Sequence, residues 1–326
     1  MCLSLIADFG WADPILYRPE AKGSHATFHP ISYYLNLSFD TAQNPFYFSQ
    51  SRFFENHSVL WNRVKDPLKA IRESGGWGHF LGEEIFGVRA IPNYGLHVIG
   101  GGYDYRWLAE WYEAREVPFP YLVAFLNAYL ANIGNEALET SATQVAATDQ
   151  IADLFFFDLL GKILFLNDGV VRFFYETLQM RAWHFQPLLN LRTWHIDNAG
   201  ANYIFRPRIF GDSVRPFFHI GMTLLAGLSF AMDNGDSLTA ALGISPTDPL
   251  EFKGDFIGAL YWDHEDDLLA SLTVNGSSYL AVRCNIYPDF IPMGDWRLGY
   301  YFALSKSKEV FLGVNLLFPA GVSYSF

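Results

Sequence analysis

Apolar and polar side chains alternate with a period of two over much of the last half of the chain, most cleanly at its end. Leu312, Val314, Leu316, Phe318, Ala320, Val322, Tyr324 and Phe326 share one face of an extended strand. Gly313, Asn315, Leu317, Pro319, Gly321, Ser323 and Ser325 share the other. Alternation this long places one face in an apolar medium and the other against small or polar groups. The same period predicts strands over 183–192, 202–209, 218–230, 238–244, 256–263, 268–275, 279–287 and 296–305. An earlier strand is predicted over 31–40, where Ile31, Tyr33, Leu35, Leu37 and Phe39 alternate with Ser32, Tyr34, Asn36, Ser38 and Asp40. Turn chemistry separates several of these, as at Asp233-Asn234-Gly235-Asp236, Asn275-Gly276-Ser277-Ser278 and Ser305-Lys306-Ser307-Lys308.

Between these strands the period changes. Residues 60–74, 78–88, 96–115, 121–143 and 149–181 carry helical spacing and good helix formers, with Pro118 and Pro120 in one connection and Thr148-Asp149 as an N-cap signal. The expected fold is therefore a membrane β-barrel of about ten antiparallel strands, within a range of about eight to twelve, carrying a large α-helical insertion. The divisions are a signal-peptide remnant over 1–12, a first barrel strand and its lead over 13–48, the helical insertion over 49–181, and the remaining strands over 182–326. A barrel of this size fills its own interior, so the helices belong at one mouth or against the membrane surface. A single long connection after the first strand would put them outside the cell. A further crossing within 41–100 would put them on the periplasmic side, which is the preferred placement.

Composition agrees with strands rather than membrane helices. The chain is 51% hydrophobic and 17% aromatic, yet its mean hydropathy is only +0.10. No run of about eighteen residues is free of polar groups. A net charge of −12 disfavours nucleic acid as a partner. Leu3, Leu5 and Ile6 before Gly10-Trp11-Ala12 suggest the tail of a signal peptide. Cys2 and Cys284 suggest no metal cluster, and Cys284 alternates with Leu280, Val282 and Ile286 as a small apolar residue.

The helical segment carries polar groups that packing alone does not call for. Asn132, Asn135, Glu136 and Glu139 share one helix face, Asp149 and Asp153 share another, and His97 precedes Gly100-Gly101-Gly102, Asp104 and Arg106. A buried carboxylate must be paired, metal-bound or protonated. His97, Glu136, Asp149 and Asp153 are therefore candidates for a catalytic acid–base site or a divalent-cation site. The structural alternatives are that Asp149 caps its helix, Glu136 pairs with Arg106 or Arg172, and His97 bonds a carbonyl. HExxH and GxSxG are both absent from the sequence, and the glycine triplet suits close helix packing. Arg206, Arg208 and Arg283 fall on inward strand faces and are expected to pair with Asp263 and Asp233. The run His264-Glu265-Asp266-Asp267 reads as a solvated hairpin tip.

Three stretches resemble an uncharacterised family of Gram-negative outer-membrane proteins. They are Pro92-Asn93-Tyr94-Gly95-Leu96-His97-Val98-Ile99-Gly100-Gly101-Gly102, then Asn135-Glu136, then Thr148-Asp149-Gln150-Ile151-Ala152-Asp153-Leu154 running on to Asp158-Leu159-Leu160-Gly161. The terminal Phe326, with Tyr324 two residues before it, resembles the last strand of outer-membrane barrels. The resemblance implies residence in the bacterial outer membrane and a shared His, Asn-Glu and Asp site, without a defined activity. The leading expectation is a structural or lipid-interacting barrel, with outer-membrane lipids and envelope proteins as partners. An enzyme acting on lipid or envelope polymer through the His/Glu/Asp site and a narrow solute channel are the alternatives.

Overall fold

The computed structural model describes residues 14–43, 48–88, 90–142, 145–248, 253–276, 279–291, 296–317 and 319–326. The expected signal-peptide remnant lies outside the described residues. Helices come first. They include Pro30–Phe39, Phe53–Val64, Pro67–Glu73, Gly101–Glu113, Pro120–Glu139, Ala147–Ala152 and Asp158–Leu164. Two turns of π-helix, Tyr94–Gly100 and Asp153–Phe157, lead directly into Gly101–Glu113 and Asp158–Leu164.

The predicted first barrel strand is instead the helix Pro30–Phe39, so the helices precede the sheet rather than interrupt it. Pro30 occupies the first helical turn, where a missing N–H costs nothing. His29 caps the start: its Nδ1 accepts from the Ile31 N–H at 3.1 Å, and Ser32 Oγ accepts from the His29 N–H at 2.9 Å. The alternation misleads because the small polar side chains are what this helix buries. Ser38 Oγ donates to the Ala131 carbonyl at 3.1 Å, and a Cβ on Gly134 would stand 2.4 Å from that hydroxyl. Small residues thus let the helices Pro30–Phe39 and Pro120–Glu139 meet closely. Asn36 ties the pair to the 185–200 segment, donating to the Phe185 carbonyl and accepting from the Gly200 N–H, both at 2.9 Å.

The sheet has thirteen strands. In chain order they are β1 (Arg181–Ala182), β2 (Leu188–Asn190), β3 (Ile196–Asp197), β4 (Asn202–Phe205), β5 (Val214–Gly221) and β6 (Leu224–Ala231). There follow β7 (Asp236–Asp248), β8 (Lys253–His264), β9 (Asp267–Asn275), β10 (Leu280–Ile286), β11 (Gly299–Ser305), β12 (Val310–Asn315) and β13 (Gly321–Ser325). The order across the sheet is β1-β4-β5-β6-β7-β8-β9-β10-β11-β12-β13-β2-β3, antiparallel except where β13 meets β2. It is not closed into a barrel. β1 and β2 nevertheless lie on one stretch of chain, separated by residues 183–187, so that this stretch pairs with β4 at one end and β13 at the other.

Two predicted strands prove to be hairpins. The segment 218–230 divides into β5 and β6, and 312–326 into β12 and β13. The registers pair positions of equal parity, Phe218 with Ala226 and Leu312 with Tyr324. Alternation therefore runs unbroken through each turn and cannot locate it. The same parity holds for most registers in the sheet, with a consistent result. Every exposed large apolar side chain on β5 to β13 has an even number, including Leu242, Phe256, Leu260, Val274, Leu312 and Val322. Odd-numbered Ser229, Thr239, Ser271, Asn275, Asn315, Ser323 and Ser325 are buried on the other face.

The inner face is concave, because side chains from strands that are not neighbours meet across it. Arg206, just past β4, forms a two-pronged pair with Asp263 on β8 at 2.7 and 2.9 Å and reaches Asp266 at 2.7 Å. Arg181 holds the other Asp266 oxygen at 2.7 Å. Asp267 takes the Arg18 guanidinium and the Lys22 N–H. Asp266 and Asp267 at the tip are therefore folded inward and paired, while Glu265 stays exposed. Arg208 is not an inward group; it pairs with Asp212 in solvent. Arg283 lies over the Phe185 ring, 4.8 Å from its centre.

One carboxylate joins helices to sheet. Asp104, fully buried in Gly101–Glu113, accepts from Tyr203 Oη at 2.7 Å and from His184 Nε2 at 2.9 Å. His184 Nδ1 accepts from the Asn202 N–H, which places the ring proton on Nε2. Removing Asp104 leaves both donors buried and unpaired. Asp104→Ala is expected to cost about 3 kcal/mol in thermal melts of the purified protein. Glu55→Ala, in an exposed ion pair with Arg52, should change stability by less than about 0.5 kcal/mol.

Candidate functional site

Among the described residues one set of potential ligands converges. His97, Glu136 and Asp153 each offer an atom, and these atoms all lie within 4.8 Å of one another. The three come from separate elements: the π-turn Tyr94–Gly100, the helix Pro120–Glu139 and the π-turn Asp153–Phe157. A π-turn carries one extra residue per hydrogen-bonded ring and re-aims the side chains around it, a device common at functional sites. Here it presents His97 and Asp153 to the same point. The backbones also approach unusually closely. A Cβ on Gly161 would lie 2.7 Å from the His97 carbonyl oxygen and 2.6 Å from that of Val98, so only glycine fits.

Glu136 is the centre of the arrangement. Its side chain is wholly buried and, among the described residues, both carboxylate oxygens lack a hydrogen-bond partner. Arg106, a partner considered from sequence, is engaged by Glu110 at 2.8 Å and Asp168 at 2.7 Å. Arg172, the other, pairs with Glu176 at 2.7 Å. The nearby ammonium of Lys162 is held by Asp158, which also takes the Asn132 amide. His97 Nε2 stands 3.9 Å from Asp153 Oδ2, too far for a hydrogen bond. Asp153 is instead oriented by Asn93, whose amide donates to Oδ1 at 2.7 Å. Gln150 Nε2 donates to the Glu136 backbone carbonyl at 2.9 Å.

Asp149, the fourth candidate, stands outside the convergent set. It is half-buried and bears on Glu136, Glu139 and Asp153 by charge. Neither Asp149 nor Thr148 is the N-cap of the helix Ala147–Ala152. Ala146 occupies that position, and Thr148 Oγ1 donates to Glu84 at 2.7 Å. Asn93 and Gln150, which orient the site, lie in the stretches that carry the family resemblance but are not among the candidate site residues. Their positions, four before His97 and three before Asp153, are the signal that could have found them.

Burial and mutual repulsion dominate the electrostatics. Burial first, then the charges of Glu139, Asp153, Asp149 and Asp158, hold the Glu136 carboxyl well above its ordinary 4.5. Asp153 is held well above 3.8 by burial, then by Asp149 and Glu139. Burial takes the His97 imidazole down to about 4, with Lys162 adding to the effect, so it is neutral at pH 7. Even the Asp158–Lys162 pair feels this: burial outweighs attraction, raising the acid and lowering the base. A neutral imidazole beside two carboxyls can accept a cation, or it can pass a proton. Val98, Ala137, Ala152 and Leu154, the chain neighbours of the three residues, belong to one buried apolar cluster with Leu60, Val64 and Phe157.

No protein-family model matches the chain, and neither the curated proteins nor the solved structures contain a significant match.

The raised carboxyls give the protein a pH dependence. Glu136 and Asp153 keep protons in the native state that the unfolded chain releases. Stability is then greatest below the ordinary values of 4.5 and 3.8 and falls as pH rises towards the raised native values. Each group contributes about 1.4 kcal/mol per pH unit while it titrates. Melting temperature measured from pH 4.5 to 8 should fall, and Glu136→Gln should flatten the fall. An unchanged slope in the variant would contradict this electrostatic account.

Proposed function

We propose that the chain is an integral protein of a bacterial outer membrane, its sheet facing lipid on the outside and enclosing a polar, ion-paired interior. The observation that carries this reading is that from β5 to β13 leucine, isoleucine, valine and phenylalanine stand exposed on the outer face, while the inner face buries serine, threonine, asparagine and aspartate among Phe217, Leu225, Ile257 and Tyr261. A sheet folded for water would reverse that arrangement. Each outward side chain gains about 1.5–3 kcal/mol on leaving water. More than a dozen such residues outweigh a typical folding stability of about 5–15 kcal/mol.

Supporting detail comes from both parts of the molecule. An apolar hollow of about 500 Å³ opens on the outer face between Leu191, Ile286, Phe302, Leu312, Val322 and Tyr324, the setting an acyl chain would occupy. The helix Pro120–Glu139 is inverted in the same way: Leu122, Leu126 and Leu130 are more than half exposed, while Asn132, Asn135 and Glu136 are buried. None of the described helices is long and apolar enough to cross a membrane. The helical layer is accordingly assigned to the membrane surface, capping the sheet and held to it through Asp104. Membership of the uncharacterised outer-membrane family is part of the same proposal. The inner ion pairs, together with Trp183, Phe217, Tyr261 and Tyr287, fill the interior and weigh against a solute channel.

A second reading, an enzyme acting on lipid or envelope polymer through His97, Glu136 and Asp153, is favoured by the unpartnered Glu136 carboxylate beside a neutral imidazole. It predicts that cells carrying Glu136→Gln differ from wild type in their envelope lipids at equal folded level. Identical lipid profiles by mass spectrometry would remove it.

Cys284 offers a direct probe of the leading reading. It pairs across the sheet with Leu272 and Phe302 on the outward face. In vesicles of the Cys2→Ser variant, an apolar maleimide should label Cys284 and a charged, impermeant maleimide should not. Equal labelling by both reagents would place this face in water.

A further inference from the structure

We infer that His97, Glu136 and Asp153 form a binding site for one divalent transition-metal ion of the zinc or manganese class. Four observations carry the assignment. The first is convergence. One nitrogen and two oxygen donors, brought from three separate elements, have their ligand atoms within 4.8 Å of one another. Two ligands about 2.1 Å from a common ion stand up to about 4.2 Å apart. The 3.9 Å between His97 Nε2 and Asp153 Oδ2 is too long for a hydrogen bond and lies within that span.

The second observation points to a ligand directly. Glu136 is wholly buried, and neither carboxylate oxygen has a partner among the described residues. An uncompensated buried carboxylate is costly, and a bound cation removes the cost. Third, the side-chain cations nearby are already committed. Lys162 is bound to Asp158, Arg106 to Glu110 and Asp168, and Arg63 to the Val145 carbonyl and the Gln150 side chain.

Fourth, the donors are braced as metal ligands are. Asn93 fixes Asp153 through the oxygen turned away from His97, and Gln150 anchors the Glu136 backbone. The imidazole donor disfavours calcium and magnesium, which take oxygen ligands almost exclusively. Two carboxylates balance the charge of a divalent ion, and Glu139 and Asp149 add negative potential around it. This inference is independent of the membrane reading, since the site lies wholly within the helical layer.

The test uses the full chain purified in detergent, stripped with a chelator and then equilibrated with zinc or manganese alone. Bound metal is counted after desalting by inductively coupled plasma mass spectrometry, and melting temperature is recorded with and without metal. Wild type should retain one equivalent and melt higher with the ion. Glu136→Gln and Asp153→Asn should bind at least about 100-fold more weakly and show no metal-dependent shift. Asp149→Asn should stay within about tenfold of wild type, as expected of a residue outside the ligand set. Glu136→Gln should melt no lower than stripped wild type; if it fails to fold, His97→Gln serves as the ligand-deletion variant. Folded wild type that retains neither ion would overturn the inference. So would equal retention by wild type and a folded ligand-deletion variant, or retention of calcium or magnesium in place of zinc and manganese.

Discussion

The constraint on which the structure depends is the inversion of its sheet. From β5 to β13 the registers pair positions of equal parity almost throughout, so one set of positions faces out and the other in. The inward set mixes polar with apolar side chains and must pair its polar groups internally, because it is removed from water. It does so through the two-pronged Arg206–Asp263 pair, the Asp266 carboxylate shared by Arg206 and Arg181, and contacts such as Asn198 to Asn285 at 2.7 Å. An apolar cluster that includes Trp183, Phe217, Leu225, Ile257 and Tyr261 packs among these polar groups, and the outer face adds a second apolar surface that the protein leaves exposed. The apolar outer face therefore has to be covered, and the proposed membrane supplies that cover.

The helical layer obeys the same logic on a smaller scale. Its longest helix turns leucines outward and places Asn132, Asn135 and Glu136 inward. Ser38 against Gly134, and Gly161 against the His97 carbonyl, let the backbones approach closely enough to enclose those polar groups. The Asp104 carboxylate, taking hydrogen bonds from Tyr203 and His184, couples this layer to the first strands of the sheet. Several buried polar atoms lack a partner among the described residues, and Glu136 is the carboxyl in which both oxygens do. The surrounding side chains orient it and desolvate it without pairing it.

Sequence periodicity reveals the composition of the sheet faces better than the number of its strands. Leu238 to Ile244 and Phe256 to Asp263 are strand in full, because turn residues such as Asn234-Gly235 bound them. The turns within 218–230 and 312–326 are invisible, since equal-parity pairing preserves the alternation across them. The helix Pro30–Phe39 reads as a strand because it buries serine and asparagine, the reverse of the usual signal for a helix against a core. The convergent site is more legible. Polar residues at helical spacing on apolar helices mark His97, Glu136 and Asp153, whatever the tertiary packing. Two features are not readable. The π-turns that aim His97 and Asp153 have no sequence signature, and the inward folding of Asp266 and Asp267 depends on arginines distant in sequence.

The most direct test of the central claim is to map which side chains touch lipid. The protein, reconstituted with a phospholipid carrying a photoactivatable group on its acyl chain, would be irradiated and its adducts located by mass spectrometry. The account predicts adducts at outward positions such as Leu242, Leu260, Leu272, Val314 and Val322, and none at Ser229, Thr239 or Ser271. Adducts divided evenly between the two faces, or absent from the strands altogether, would contradict it.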